Sequence, residues 1–266
     1  MGEAKTVRSR LTTGFARPLS LLRPHLSLAL DSLFTIVFAP SCAACGELLD
    51  APTRGPVCPR CWSSILPLTP PLCDACGDPL PAWRVISVPL ARCPRCRRSA
   101  RHIDRARAVG EYDGALRSIV HALKYDGRRS VARPLALLMR ERAADLLVEA
   151  ELVVAVPLHR SRLAARGFNQ AADLARHLGL PVVRALRRSR ATATQTGLPA
   201  AQRHRNVRDA FIATRHASAV LGRSVLLVDD VSTTGATLEA CARTLKQAGA
   251  RRVLAVTAAR VVARPR

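Results

Sequence analysis

Ser224-Val225-Leu226-Leu227-Val228-Asp229-Asp230-Val231-Ser232-Thr233-Thr234-Gly235-Ala236-Thr237-Leu238 is the stretch on which the reading of this chain turns. Val225 to Val228 form a short apolar run closed by two acids, which reads as a buried parallel strand. Small and hydroxylated residues follow. Helical periodicity then runs from about Gly235 to Gln247, Gly249 stops it, and Val253–Thr257 reads as the next strand. Such a strand–loop–helix–strand unit places its polar residues at the carboxyl end of a strand, where open α/β sheets bind ligands.

The chemistry of the loop follows from its residue types. Ser232, Thr233, Thr234 and Thr237 supply hydroxyl donors, Gly235 and Ala236 let a ligand approach the backbone, and the first N–H groups of the helix are unpaired. Together they suit one phosphate. Asp229 and Asp230 would repel that phosphate if they faced it. Beside it they can accept hydrogen bonds from vicinal hydroxyls, so the pattern points to a sugar phosphate. No lysine follows Gly235, which argues against a nucleoside-triphosphatase loop. A plain helix cap would need one such residue, whereas Ser232 to Thr237 are all small or hydroxylated.

Upstream, Leu152–Val156 reads as a second buried strand ended by Pro157. Pro134–Val148 carries a helical stripe before it, and Phe168–Leu178 a helix after it, stopped by Gly179 and followed by a candidate strand at Leu180–Val183. Residues 105–266 therefore read as one α/β domain. Cys241, on the helix after the loop, reads as a packing residue.

The other eight of nine cysteines lie ahead of that domain as four pairs: Cys42/Cys45, Cys58/Cys61, Cys73/Cys76 and Cys93/Cys96. Each pair has two intervening residues, which lets both thiolates of a tight turn reach one tetrahedral metal. Two such turns close a structural zinc site, so residues 41–101 read as a double zinc ribbon holding two Zn2+. The simplest ligand partition is sequential, and an interleaved one is compatible with the spacing. Disulfides would need an oxidising compartment and a secretory signal, while a redox dithiol would occur singly. Trp62, Trp83 and the arginines around Cys93/Cys96 either form small-domain core and solvated surface or offer a stacking platform to single-stranded DNA.

Composition limits the rest. Of 266 residues 48% are apolar, too many for a disordered chain, and with few aromatics the core must be built from Leu, Val and Ala. The net charge of +23 comes almost wholly from arginine and favours phosphorylated or polyanionic partners. No apolar run approaches the ~20 residues of a membrane span. Asp31 and Pro40-Ser41 spoil the resemblance of the N-terminus to a signal peptide, so residues 1–19 read as flexible, 20–40 as an amphipathic helix, and the protein as cytoplasmic.

Val225–Leu238 resembles the phosphoribosyl-pyrophosphate (PRPP) signature of type I phosphoribosyltransferases, and residues 35–260 resemble the ComF/GntX family, whose members join a cysteine-rich zinc region to such a domain. Val156-Pro157-Leu158-His159, Arg166-Gly167-Phe168-Asn169-Gln170, Gln195 and Arg203–Asn206 are similar to ComF motifs, in order. The resemblance implies the type I phosphoribosyltransferase fold, a parallel sheet with flanking helices. It puts Asp229 and Asp230 on the ribose hydroxyls and Ser232, Thr233, Thr234, Gly235, Ala236 and Thr237 around the 5′-phosphate. Pro157, Leu158, His159 and Arg160 would form the pyrophosphate loop. Residues 190–208 would be a hood carrying Gln195, Arg203 and Arg205, whose arginines read equally well as solvated. Asn169 either caps a helix or faces ligand, with ligand preferred. His159 is the nearest candidate base, although a histidine after a proline turn more often bonds phosphate or backbone, and no catalytic residue is assigned.

The implied chemistry is displacement at the anomeric carbon, with Mg2+ and arginines stabilising the departing pyrophosphate. The implied protein binds PRPP with Mg2+ and serves DNA uptake in natural transformation or a related DNA-processing step. Two alternatives stand beside it: an active phosphoribosyltransferase for an unidentified base or amine, and a non-catalytic single-stranded DNA adaptor for a ComFA-like helicase.

Overall fold

The computed structural model describes residues 39–80, 92–98, 101–190 and 209–262. In chain order the helices are α1 (Pro59–Ser63), α2 (Pro94–Arg98), α3 (Gly114–Lys124), α4 (Ala132–Arg142), α5 (Ala144–Glu149), α6 (Arg160–Arg166), α7 (Gln170–Ala175) and α8 (Ala236–Gln247). The strands are β1 (Arg105–Glu111), β2 (Leu152–Ala155), β3 (Leu186–Arg188), β4 (Phe211–Ala213), β5 (Ser224–Ser232) and β6 (Arg252–Arg260). Four of them form one parallel sheet in the order β1-β6-β5-β2, and β3 and β4 pair separately as an antiparallel ribbon.

The continuous apolar run of β5 is explained by burial on both faces. Leu226 and Val228 join Leu116, Ile119, Leu135 and Leu174 of α3, α4 and α7. Val225 and Leu227 join Leu238, Cys241 and Leu245 of α8, with Phe211 of β4. The period-2 alternation of strand side chains thus divides the core into two layers. Each is assembled chiefly from Leu, Val and Ala. Cys241 is fully buried in the second layer, as a packing residue should be.

Three expected elements are shorter than their apolar patterns. The helical stripe at 134–148 breaks at Ala143, whose backbone leaves the helical region (φ −120°, ψ 28°) and which is fully buried beside Leu146. The helix expected at 168–178 starts only at Gln170, after an Asn169 cap. In place of a strand at 180–183 there is one parallel bridge, Val153 to Val182. In the other direction, β5 and β6 run beyond their apolar stretches to Ser232 and Arg260.

The cysteine segment docks on the free edge of β1. Leu66 accepts a hydrogen bond from the Glu111 N–H at 3.0 Å, Pro67 bridges Gly110, and Arg128 donates to the Ser41 carbonyl at 2.6 Å. Gly77 shows how close the approach is. Its φ of +72° suits glycine, and a Cβ there would lie 2.7 Å from the Ala106 carbonyl oxygen. The amphipathic helix expected at 20–40 lies outside the described residues, apart from its last two.

Candidate functional site

The carboxyl ends of β2 and β5 and the end of α3 enclose a cavity of about 570 Å3, a size typical of small-molecule sites. Strand alternation decides where the acids go. Asp230 continues the face of Leu226 and Val228, toward α3, and its Oδ2 pairs with Lys124 Nζ at 3.0 Å. Asp229 takes the opposite face, toward Arg188 and α8. Local amides steady the pair: the Asp230 N–H donates to Asp229 Oδ1 at 2.9 Å, and the Val231 N–H to Asp230 Oδ1 at 2.7 Å. Burial, and then the neighbouring Asp230 carboxylate, push Asp229 up to about 8 against the pull of Lys124. For Lys124 burial works downward, but Asp230 and Asp229 together outweigh it and raise its pKa.

Four cations line this cavity with the two acids: Lys124, Arg162, Arg166 and Arg188. The Arg166 guanidinium lies 5.4 Å from the centre of the Tyr125 ring, and that of Arg188 lies 5.3 Å from the Phe211 ring centre. Burial, then the nearby Arg162, lowers the Arg188 pKa, so this charge is held at a cost that an anionic ligand would relieve. Lys124, Arg162 and Arg188 went unrecognised in the sequence as site residues. They come from separate elements, and no local spacing marks them.

Of the residues singled out from sequence, Asp229, Asp230, Thr237, Pro157, Leu158 and Asn169 share the cavity. Ser232 turns away: its Oγ accepts from Arg260 Nη1 at 3.2 Å on the far side of the loop. Thr234 and Gly235 border the same rear space, beside Cys76 and Arg95. Thr234 Oγ1 accepts from the Ala236 N–H at 3.3 Å, and Gly235 at φ +77° turns the chain into α8, whose first residue is Ala236. Thr233 is half-buried on the same loop. His159 caps α6, its Nδ1 accepting from the Ser161 N–H at 3.3 Å, and Arg160 is exposed. Asn169 lines the cavity but spends both ends of its amide on structure, accepting from the Ala171 N–H and donating to the Val156 carbonyl, each at 3.0 Å. Gln195, Arg203 and Arg205 lie outside the described residues.

The eight paired cysteines gather into two groups in sequential partition, Cys42/Cys45/Cys58/Cys61 and Cys73/Cys76/Cys93/Cys96, with the sulfurs of each group within 4.8 Å of one another. All are free thiols. A tetrahedral ZnS4 centre with bonds of about 2.3 Å needs sulfurs about 3.8 Å apart. The Cys45–Cys58 and Cys76–Cys93 sulfurs stand at 4.0 and 3.7 Å. Backbone N–H groups of Ala44 and Cys58 point at Cys42 Sγ, and that of Cys93 at Cys73 Sγ, at 3.3–3.4 Å. Burial opposes ionisation of Cys42, yet backbone hydrogen bonds from Cys45, Cys58 and Ala44 hold it down to about 6. The donor sets fit two structural zinc ions.

Comparison with known proteins gives the same two parts. Residues 33–97 match the double zinc ribbon domain family and residues 163–266 the phosphoribosyl transferase domain family. The DNA utilization protein YhgH of Salmonella typhi is 38% identical over 190 residues, 67% of this chain and 79% of its own. Competence protein F of Haemophilus influenzae is 30% identical over 218 residues, covering 78% and 91%. Among solved structures, the allosteric regulatory enzyme of purine biosynthesis aligns with 52% of this chain and 30% of its own at 25% identity, with a TM-score of 0.35.

Proposed function

The chain belongs to the ComF family, with a double zinc ribbon ahead of a domain of the type I phosphoribosyltransferase fold, and on that premise we propose that it binds PRPP with Mg2+ and serves DNA uptake or utilisation in the cytoplasm. The observation that carries the ligand is the Asp229–Asp230 pair. Two carboxylates stand in a cavity whose other charged residues are four cations, at the strand end that leads into a loop of hydroxyls. A purely anionic ligand gives no reason for the acids, and a neutral sugar gives none for the cations. A ribose bearing phosphate and pyrophosphate uses both.

In this reading Asp229 and Asp230 accept from the ribose 2- and 3-hydroxyls, and the Thr233–Thr237 segment donates to the 5′-phosphate. The cationic wall offsets the pyrophosphate. Asp229 or Asp230 would hold an Mg2+ that arrives with the ligand, and the ion would supply charge neutralisation on pyrophosphate. Asn169 acts at one remove, fixing the loop after β2 through the Val156 carbonyl. The names of the two relatives support the cellular role.

Isothermal titration is the test. PRPP with Mg2+ should bind the full chain, and D229N/D230N should weaken it by about 100-fold or more, since each lost charged hydrogen bond is worth roughly 1.5–3 kcal/mol. Unchanged affinity in the double variant would overturn the assignment. Pyrophosphate release in the presence of candidate acceptors separates turnover from binding alone.

A further inference from the structure

The two zinc ribbons repeat a pattern beyond their cysteines. Cys42-x-x-Cys45-Gly46-Glu47 with Cys58-Pro59-Arg60-Cys61 corresponds to Cys73-x-x-Cys76-Gly77-Asp78 with Cys93-Pro94-Arg95-Cys96. In each copy the acid after the first knuckle meets the arginine inside the second. In the first ribbon this pair, Glu47–Arg60 at 3.8 Å, is exposed, with side chains 67% and 87% accessible. A pair so placed contributes little.

The second copy is used differently. Asp78 Oδ2 accepts from Arg95 Nη2 at 2.8 Å, while its Oδ1 accepts from Nε of Arg260, the last residue of β6. Arg260 is 5% accessible, and its Nη1 donates to Ser232 Oγ at 3.2 Å. Arg95 Nη1 reaches the Thr234 carbonyl at 3.4 Å. The loop between β5 and α8 is therefore gripped at Ser232 and Thr234 from behind, by two guanidiniums that share one carboxylate. That carboxylate stands two residues from Cys76, with Cys76 Sγ 3.3 Å from Asp78 Oδ2.

We infer that Asp78 and Arg260 are positioning residues through which the second cysteine centre fixes the phosphate loop. Among the described residues the first centre has no such connection through Glu47. Zinc held by Cys73, Cys76, Cys93 and Cys96 thereby pre-orders the loop for an anion. The physical gain is pre-organisation: loop donors already aimed lose less conformational entropy when the ligand arrives. Outer partners of metal ligands often carry effects of about 10–100-fold. The ligand half of this inference rests on the PRPP reading above; the mechanical half does not.

Hydrogen exchange on the full-length, zinc-loaded protein without ligand tests the mechanical half. Asp78→Asn should raise amide exchange at Ser232–Ala236 by about tenfold while leaving Val225–Val228 unchanged, with zinc still near two per chain by elemental analysis. Asp78→Glu should restore most of the protection, and Glu47→Gln should leave the loop unaltered. Equal exchange in Asp78→Asn and wild type, or an equal loosening from Glu47→Gln, would overturn the inference. Titration with PRPP and Mg2+ then tests the coupling: about a tenfold loss of affinity in Asp78→Asn and recovery in Asp78→Glu. Wild type that fails to bind PRPP removes the PRPP reading and leaves the exchange result to decide the tie. Wild type that binds PRPP no better than Asp78→Asn removes the coupling alone.

Discussion

Asp229 pays for its position. An ordinary aspartate titrates near 3.9, while burial and the Asp230 charge hold this one up to about 8. Between those values the folded protein holds a proton that the unfolded chain has released. This group's contribution to stability is thus greatest below about pH 4 and falls as pH climbs toward 8. Asp229→Asn removes the penalty. Its thermal midpoint should exceed wild type at pH 8 by at least the roughly 2–4 °C that about 1 kcal/mol gives in a chain of this size, and the gap should narrow as pH falls and close only below about pH 4. Ligand binding that requires the ionised pair should release protons near neutrality. Titration enthalpies at pH 7 should then depend on the buffer's ionisation heat in wild type and lose that dependence in the variant.

At the scale of elements, the sharpest contact is the turn after Cys76 against β1. Gly77→Ala combines a left-handed backbone with a Cβ 2.7 Å from the Ala106 carbonyl oxygen, so that backbone must shift to admit it. A loss of about 2–3 kcal/mol in denaturant unfolding is expected, with the midpoint shifted and the slope kept. Gly46→Ala, at the equivalent turn of the first ribbon, meets nothing within 4 Å and should cost only about 1 kcal/mol of backbone strain. The same contact shows what local sequence could reveal. The strand–loop–helix at 224–238 and the cysteine pairs were legible because their signals are contiguous: an apolar run, hydroxylated residues, a fixed spacing. β1 was not. Its Arg105-Ala106-Arg107-Ala108 alternation looks like solvated chain until Asp145 and Glu149 of the α5 region are seen to receive the arginines. Lys124 was hidden for the same reason, since only the fold brings it to Asp230.

For the whole molecule, +23 net charge remains larger than a single sugar phosphate requires. That figure already subtracts the acids that pair with Arg105, Arg129, Arg252 and Arg260, so the excess is uncompensated within the chain. We propose single-stranded DNA as a polyanion that this excess would attract. Its binding should weaken with salt at a log–log slope of about −2 or steeper, equivalent to three or more phosphates at about −0.7 each. A slope near zero would remove DNA as a direct ligand.

A parallel sheet of four strands leaves two rows of backbone donors and acceptors open to any neighbour. Here neither row is wholly bare: Leu66 and Pro67 sit along β1, and Pro181–Val183 along β2. The β1 guard belongs to the cysteine segment, whose two donor sets fit zinc. Zinc starvation would therefore do more than disable a ligand site. It would strip the cover from a strand edge and invite pairing between copies, so that a chain short of metal is lost to aggregates rather than kept as an idle apoprotein.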